Sequence, residues 1–562
     1  MLFLGYDGPC GLSSVGLAAT PRKGRRTTNP RRPGRDVVQR IRDAPEGTSY
    51  NESATTRTGR HTVWHTEPRG IVWLHYCRRA CFFSFFAEPA AEPTRVSQPA
   101  NESTQTVADA LRNDPRIAQA KRLVAEAIGE HAGRLSVRPS PTSMKESFAA
   151  LIDRLSAVRG GPPIWPYLSS GLGRGPYVEL ADGSVKLDFI CGIGVHGAGH
   201  SDPGMVAAAI DAAIEDTVMQ GNLQQNPASV VMMEKLTALA QSGGASLPHC
   251  LLSTSGAMAN ENALKIAMHH KTPADRVIAF DNAFAGRTFA MATLTDRPNY
   301  RSGLPLTFPV DYLPFRDPAN PERSTRWAVD ELHRLLKRHP GRYAAFWAEP
   351  IAGEGGYYPG SNEFFNALCQ PLKDAGVPII FDEVQSFSRT SRPFAFQHFG
   401  LDQFADIVTV GKITQVCATL YSSEMKPTGP ILSQTFTGAS ASIATGIEML
   451  DRLESNGCFG PAGQNMRLAS YFQDALARLA ERYPGKISGP YGEGMMVAFT
   501  PGDGSFDAAK KLMMHLFDIG LLGFVCGGDP TRIRFLPPPA TTTEAHIDHA
   551  IELLDQGLAT LS

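Results

Sequence analysis

From Pro203 to about Pro501 the chain alternates helical segments with short apolar runs, among them Val277-Ile278-Ala279-Phe280, Ala344-Ala345-Phe346-Trp347 and Ile379-Ile380-Phe381. Such runs carry no polar face, so they read as strands covered on both sides. Strands that alternate with helices are joined by crossovers and run parallel. The stretch therefore predicts an α/β fold, a mostly parallel central sheet with helices on both faces. Upstream, Ala108 to Ile128 and Ser147 to Val158 show helical spacing. Tyr177-Val178-Glu179-Leu180 and Lys186-Leu187-Asp188-Phe189 read as a hairpin turning at Asp182-Gly183. Beyond Gly502 a smaller α+β module is expected, with helix Ala508–Ile519, strand Ile533–Leu536 and helix Thr543–Leu558. The expected divisions are 1–104, 105–202, 203–502 and 503–562.

Charge separates the first of these from the rest. Residues 1–100 hold 15 Lys+Arg against 8 Asp+Glu, a balance of +7, while the whole 562-residue chain carries −1. The remaining residues therefore carry −8. A Pro-, Gly- and Arg-rich stretch cannot bury enough apolar surface to fold alone, so 1–104 reads as a disordered extension. It fits a transit peptide, a nucleic-acid-binding arm or, the reading favoured here, translated sequence ahead of a later start. The patch from Ile71 to Phe86 is short and broken by Arg78-Arg79, which excludes a transmembrane helix there. Cys77 and Cys81 are the only close pair among nine cysteines, and no metal spacing occurs. Scattered cysteines suit a reduced, cytoplasmic protein.

The chemistry gathers at strand ends. Ile379-Ile380-Phe381 runs into Asp382-Glu383-Val384-Gln385, and Ala405 to Val410 leads to Gly411-Lys412, thirty residues after Asp382. A buried acid beside a lysine suits pyridoxal phosphate: the lysine holds its aldehyde as a Schiff base, and the acid keeps its pyridine nitrogen protonated. Ser253-Thr254-Ser255-Gly256-Ala257 opens a helix, where free backbone N–H groups and the dipole favour a phosphate. Phe284-Ala285-Gly286-Arg287 offers an aromatic face and a guanidinium for a carboxylate. Glu349-Pro350-Ile351-Ala352-Gly353-Glu354 again sets acids at a strand end. Arg534, inside the apolar Ile533-Arg534-Phe535-Leu536, needs an anionic partner, either Glu354 or a substrate. Taken singly, each motif also has a plainer reading, as an N-cap turn, a surface ion pair, a Gly-rich turn or an edge strand.

Together, from Tyr167 to the C-terminus, these motifs resemble the class III, pyridoxal-phosphate-dependent aminotransferases of the acetylornithine, ornithine, 4-aminobutyrate and lysine 6-aminotransferase kind. The resemblance implies fold type I, with a seven-stranded, mostly parallel sheet, a small terminal domain and a homodimer. It implies that Ser255, Gly256 and Ala257 hold the phosphate, that Phe284 and Val384 flank the ring, and that Gln385 bonds the ring hydroxyl. Glu349 joins this cofactor-binding set. Asp382 would pair with the ring nitrogen and Lys412 would carry the Schiff base. Thr435 would reach the phosphate of the neighbouring subunit. Arg287 would fix the far carboxylate of the substrate, and Glu354 would mask Arg534 until 2-oxoglutarate enters. Departures fall around the substrate: Ala285 where His or Trp is usual, Met258 for a common Glu, Gly438-Ala439-Ser440 for Gly-Gly-Asn-Pro, and Asn222-Leu223-Gln224-Gln225 where aromatics are frequent.

The expected function is transfer of an amino group from an ω-amino acid, acetylornithine or ornithine first, to 2-oxoglutarate. Lysine and 4-aminobutyrate are the alternative donors, and an aminomutase or decarboxylase of the same fold is the alternative chemistry. The Glu354–Arg534 pair argues against these last two, since only a second acid requires a switch. Intact Asp382 and Lys412 argue against a non-catalytic scaffold, and nothing outside the N-terminal arm suggests nucleic acid.

Overall fold

Seven short strands build the central sheet: β1 (His249–Ser253), β2 (Arg276–Phe280), β3 (Val310–Leu313), β4 (Tyr343–Ala348), β5 (Ile379–Asp382), β6 (Ile407–Val410) and β7 (Cys417–Tyr421). Their spatial order is β1-β7-β6-β5-β4-β2-β3. Only β7 runs against the others, pairing antiparallel with both β1 and β6. Every residue of β4, β5 and β6 is buried, as strands covered on both faces require. The order brings β5 between β6 and β4, so the C-terminal ends carrying Asp382, Lys412 and Glu349 lie side by side. This is where open parallel sheets bind ligands. Helix α1 (Gly256–His270) leaves the end of β1 and crosses the sheet over β7, β6 and β4.

The computed structural model describes residues 106–561. The arginine-rich extension, the Cys77/Cys81 pair and the patch from Ile71 to Phe86 lie outside the described residues. Among the described residues no helix is long and apolar enough to cross a membrane, and the cysteines are free.

Two smaller sheets join the chain's beginning to its end. The strands Ser169–Arg174, Tyr177–Leu180 and Val185–Asp188 form an antiparallel meander, and Leu521–Leu522 adds parallel to its edge. Ile487–Glu493, Met496–Pro501, Thr531–Phe535 and Phe524–Gly527 make a second, antiparallel sheet. Residue 502, where the sequence suggested a new module, lies inside this arrangement, because two of its strands precede it. The single helix expected over 108–128 is two, Val107–Arg112 and Pro115–Ala132. Pro115 cannot donate a helical hydrogen bond and starts the second helix, capped by the Asp114 carboxylate.

One buried cation joins these regions. Arg389 is 1% exposed and has no ion pair among the described residues. Its Nη1 donates to the Pro537 carbonyl at 2.7 Å and its Nη2 to the Gly194 carbonyl at 3.0 Å. Burial pulls its pKa down to about 10.

Candidate active site

Asp382 closes β5 with its carboxylate buried and fully furnished with donors. Asn260 Nδ2 donates to Oδ2 at 2.7 Å, the Val384 amide to Oδ1 at 2.8 Å, and Thr409 Oγ1 to Oδ1 at 3.3 Å. Burial holds its pKa above the usual carboxylate value, while the Val384 and Asn260 donors and nearby Lys412 pull it back. No ion pair to Asp382 occurs among the described residues, so a further cationic N–H facing it would complete the arrangement.

Lys412 follows β6 on a short 3-10 turn, Lys412–Thr414. Its φ is +55° and that of Gln415 is +63°, a region side-chain-bearing residues rarely adopt. Such strain persists where surrounding structure imposes it, and here it is compensated by Gln415 Nε2 donating to the Val195 carbonyl at 2.8 Å. Burial and the Arg534 charge bring the amine pKa down to about 8, against the opposing pull of Glu354, Asp382 and Glu349. Near neutral pH it can therefore both accept and release a proton.

Glu349, just past β4, accepts from the Gly353 amide at 3.1 Å and the Phe284 amide at 3.2 Å. It thereby ties the Glu354 loop to the Phe284 loop. Burial, then the Asp382 charge, push its pKa up to about 8. Glu354 and Arg534 form the expected ion pair, with Arg534 0% exposed. Arg534 Nη1 also donates to Gln385 Oε1 at 3.1 Å. Glu354 is held below the usual range although burial opposes this, because Arg534 is the dominant charge beside it. Arg297 Nη2 donates to the Glu354 carbonyl at 2.7 Å, anchoring its backbone while leaving the side chain free to turn.

Ser255 caps α1, accepting the Met258 amide on Oγ at 3.2 Å. The Gly256 and Ala257 amides in the first turn have no intrahelical acceptor. Val384 is pressed from two sides. A Cβ on Gly256 would lie 2.8 Å from Val384 Cγ1, and one on Gly411 would lie 3.2 Å from it and 2.8 Å from Cys417 Sγ. Gly411→Ala is expected to overpack this point, costing about 1–3 kcal/mol. It would be seen as a lower urea midpoint with an unchanged slope.

Phe284 is half-buried, and Arg287 is exposed, its guanidinium 3.5 Å from the Tyr300 ring centroid and 5.6 Å from that of Phe284. No ion pair engages Arg287 among the described residues. Thr435 is exposed on the strip 433–437, which is bonded to 219–222 through Asn222–Ser433 and Thr437–Met219. The structure thus gathers Asp382, Lys412, Glu349, Glu354, Arg534, Gln385, Val384 and Gly256 around the strand ends. Thr435 faces outward instead.

A protein-family model described as aminotransferase class-III matches residues 167–558. The chain belongs to the class-III aminotransferases. It is 29% identical to the acetylornithine aminotransferase of Methanocaldococcus jannaschii, over 68% of this chain and 92% of that one. It is 31% identical to that of Bacillus subtilis, over 69% and 94%. The lysine aminotransferase of M. tuberculosis shares the fold, at 24% identity and a TM-score of 0.65 over 73% of this chain and all of that one.

This aminotransferase accordingly uses pyridoxal phosphate. Its residues fit the cofactor: a buried, unpaired carboxylate for a protonated ring nitrogen, a lysine amine of lowered pKa, and free amides at a helix start for a phosphate. One residue of this aminotransferase's site had no role in the sequence reading. Asn260 is 2% exposed and donates to Asp382 and to the Ala285 carbonyl, while its Oδ1 accepts from Thr409 Oγ1 at 2.8 Å. It lies four residues after Gly256, hence on the same side of α1.

Proposed function

We propose that the enzyme transfers an amino group from an ω-amino acid, acetylornithine or ornithine by preference, to 2-oxoglutarate. The buried Glu354–Arg534 pair carries this reading. A guanidinium already matched by a carboxylate disfavours a second acid; once Glu354 turns away, the same guanidinium demands one. One pocket can then take a substrate ending in an amine and, in turn, a dicarboxylic keto acid. The acetylornithine aminotransferases of M. jannaschii and B. subtilis support the choice of donor.

Bound pyridoxal phosphate supplies an aldehyde for the amine and a ring that accepts electrons. Lys412 holds the aldehyde between turnovers and, once released, moves a proton at the amine-bearing carbon. Asp382, oriented by Asn260, holds a proton on the ring nitrogen. The Ser255 hydroxyl and the Gly256 and Ala257 amides bind the phosphate, with Thr435 of a second copy in a homodimer. Phe284 and Val384 sandwich the ring. Gln385 Oε1 is occupied by Arg534, which leaves its amide N–H groups to donate to the ring hydroxyl. Glu349 keeps the Phe284 and Glu354 loops in register. Arg287 takes the far carboxylate of the donor. The free cysteines support a reducing compartment, the cytoplasm.

The test is amino transfer to 2-oxoglutarate by the cofactor-loaded protein, with acetylornithine, ornithine, lysine and 4-aminobutyrate offered separately. Turnover of the first two above the others is the expected result; transfer from none of the four would overturn the proposal. The amine of Lys412 gives a second expectation. Only its neutral form attacks an aldehyde, and a pKa of about 8 leaves roughly a fifth neutral at pH 7.4. The rate at which cofactor-free protein takes up pyridoxal phosphate should therefore rise about tenfold per pH unit below 8 and level off above it. Stopped-flow absorbance reads this directly, and a rise continuing to pH 10 would contradict it.

A further inference from the structure

Away from the strand ends, a second set of reactive side chains meets in a cavity of about 650 Å³. Ser391 lies beyond β5, His398 ends the short helix Ala395–His398, and Glu493 ends the strand Ile487–Glu493. Ser391 Oγ is 2.7 Å from His398 Nδ1, and His398 Nε2 is 3.3 Å from Glu493 Oε1. The chemistry of the acid settles the direction of this relay. A carboxylate only accepts, so the neutral imidazole carries its hydrogen on Nε2 and leaves Nδ1 as a base. Ser391 must then donate its O–H to Nδ1, which turns the oxygen lone pairs away from the ring. That is the arrangement of an activated hydroxyl: nucleophile, base and orienting acid in sequence.

The rest of the cavity suits an acyl group with negative charge. Helix Asn362–Asp374 begins in its wall, and Ser361 Oγ caps the Phe364 amide at 3.1 Å, leaving the Asn362 and Glu363 amides as donors. Arg316 reaches only the Pro359 carbonyl, at 3.5 Å, and exposed Arg392 has no ion pair among the described residues. The Glu363 carboxylate also lines the cavity, where Arg316 offsets it and lowers its pKa further.

We propose that Ser391, His398 and Glu493 form a second catalytic site, which hydrolyses a carboxylic ester bearing an additional anionic group. Ser391 Oγ bonds to the acyl carbon as its proton passes to His398 Nδ1. The bond from that carbon to the alcohol oxygen breaks, and the alcohol leaves with the proton from Nδ1. Water then bonds to the acyl carbon, giving a proton to Nδ1, and Ser391 departs and regains it. Ester and water become acid and alcohol, with no oxidant or reductant. Glu493 acts as a positioning residue through His398. The proposal is independent of which amino donor the enzyme uses.

The test uses the full-length, pyridoxal-phosphate-loaded enzyme with a fluorophosphonate, read by intact mass and peptide mapping, and with p-nitrophenyl hemisuccinate and p-nitrophenyl acetate as esters. One adduct on Ser391 is expected, together with faster hydrolysis of the anionic ester. Ser391→Ala should abolish both while transamination continues. His398→Ala and Glu493→Gln should each slow both by at least about tenfold, and Glu493→Asp, which keeps the charge, should recover much of the rate. No adduct, an adduct elsewhere, an adduct without ester hydrolysis, or labelling indifferent to Glu493→Gln would each overturn the proposal.

Discussion

Lys412→Ala is expected to reduce amino transfer by on the order of 10³-fold or more, with every donor, because it removes a nucleophile and a proton carrier at once. The alanine variant should still bind pyridoxal phosphate, since the phosphate and ring contacts lie on other elements, but without the visible band of a lysine-bound cofactor. Reduction with borohydride followed by peptide mapping separates the two effects. Wild type should retain the cofactor covalently on Lys412, and the variant should lose it on denaturation. A variant that kept the band would move the attachment site to another lysine.

Asp382→Asn is expected to cost about 10²–10³-fold in turnover, the scale seen when a preorganised charge partner is removed from a dry site. The change is nearly isosteric, yet all the neighbours of this carboxylate are donors: Asn260 Nδ2, the Val384 amide and Thr409 Oγ1. An asparagine there must aim its own NH₂ at one of them, and it cannot hold a proton on a ring nitrogen. Affinity for the cofactor should fall as well. The expected signature is a lower kcat with weaker pyridoxal phosphate binding in titration, while urea unfolding of the cofactor-free protein changes little. A variant with unchanged kcat would remove Asp382 from the catalytic role.

Asp382 and Lys412 were legible because each ends a short apolar run, and such a run has to be a buried strand. That these ends are neighbours, β5 beside β6, followed from alternation alone. Asn260 was not legible. A polar residue within Ala-Met-Ala-Asn-Glu reads as a solvated helix position, and only its burial beneath Asp382 assigns it otherwise. Pairings far apart in sequence were equally hidden. Leu187 opposes Leu521, and Ala498 opposes Arg534, across stretches whose local pattern says nothing about partners. The break at Pro115 was in plain view, but apolar periodicity continues through it and masks the missing donor. Ser391, His398 and Glu493 are ordinary surface-type residues until folding brings them together.

The buried Arg389 has a consequence for how selectivity arises. Its two charge-assisted bonds, to the Pro537 and Gly194 carbonyls, would both have to break before the C-terminal strands could swing from the central sheet, stranding a guanidinium without water. Hinge opening is therefore a costly motion for this enzyme, and wide jaw-like closure over a substrate is disfavoured. Alternating between two dissimilar substrates must instead rest on torsions of single side chains, which relax in nanoseconds and leave the scaffold unchanged. Engineering for new donors is then a matter of rewriting a few rotamers.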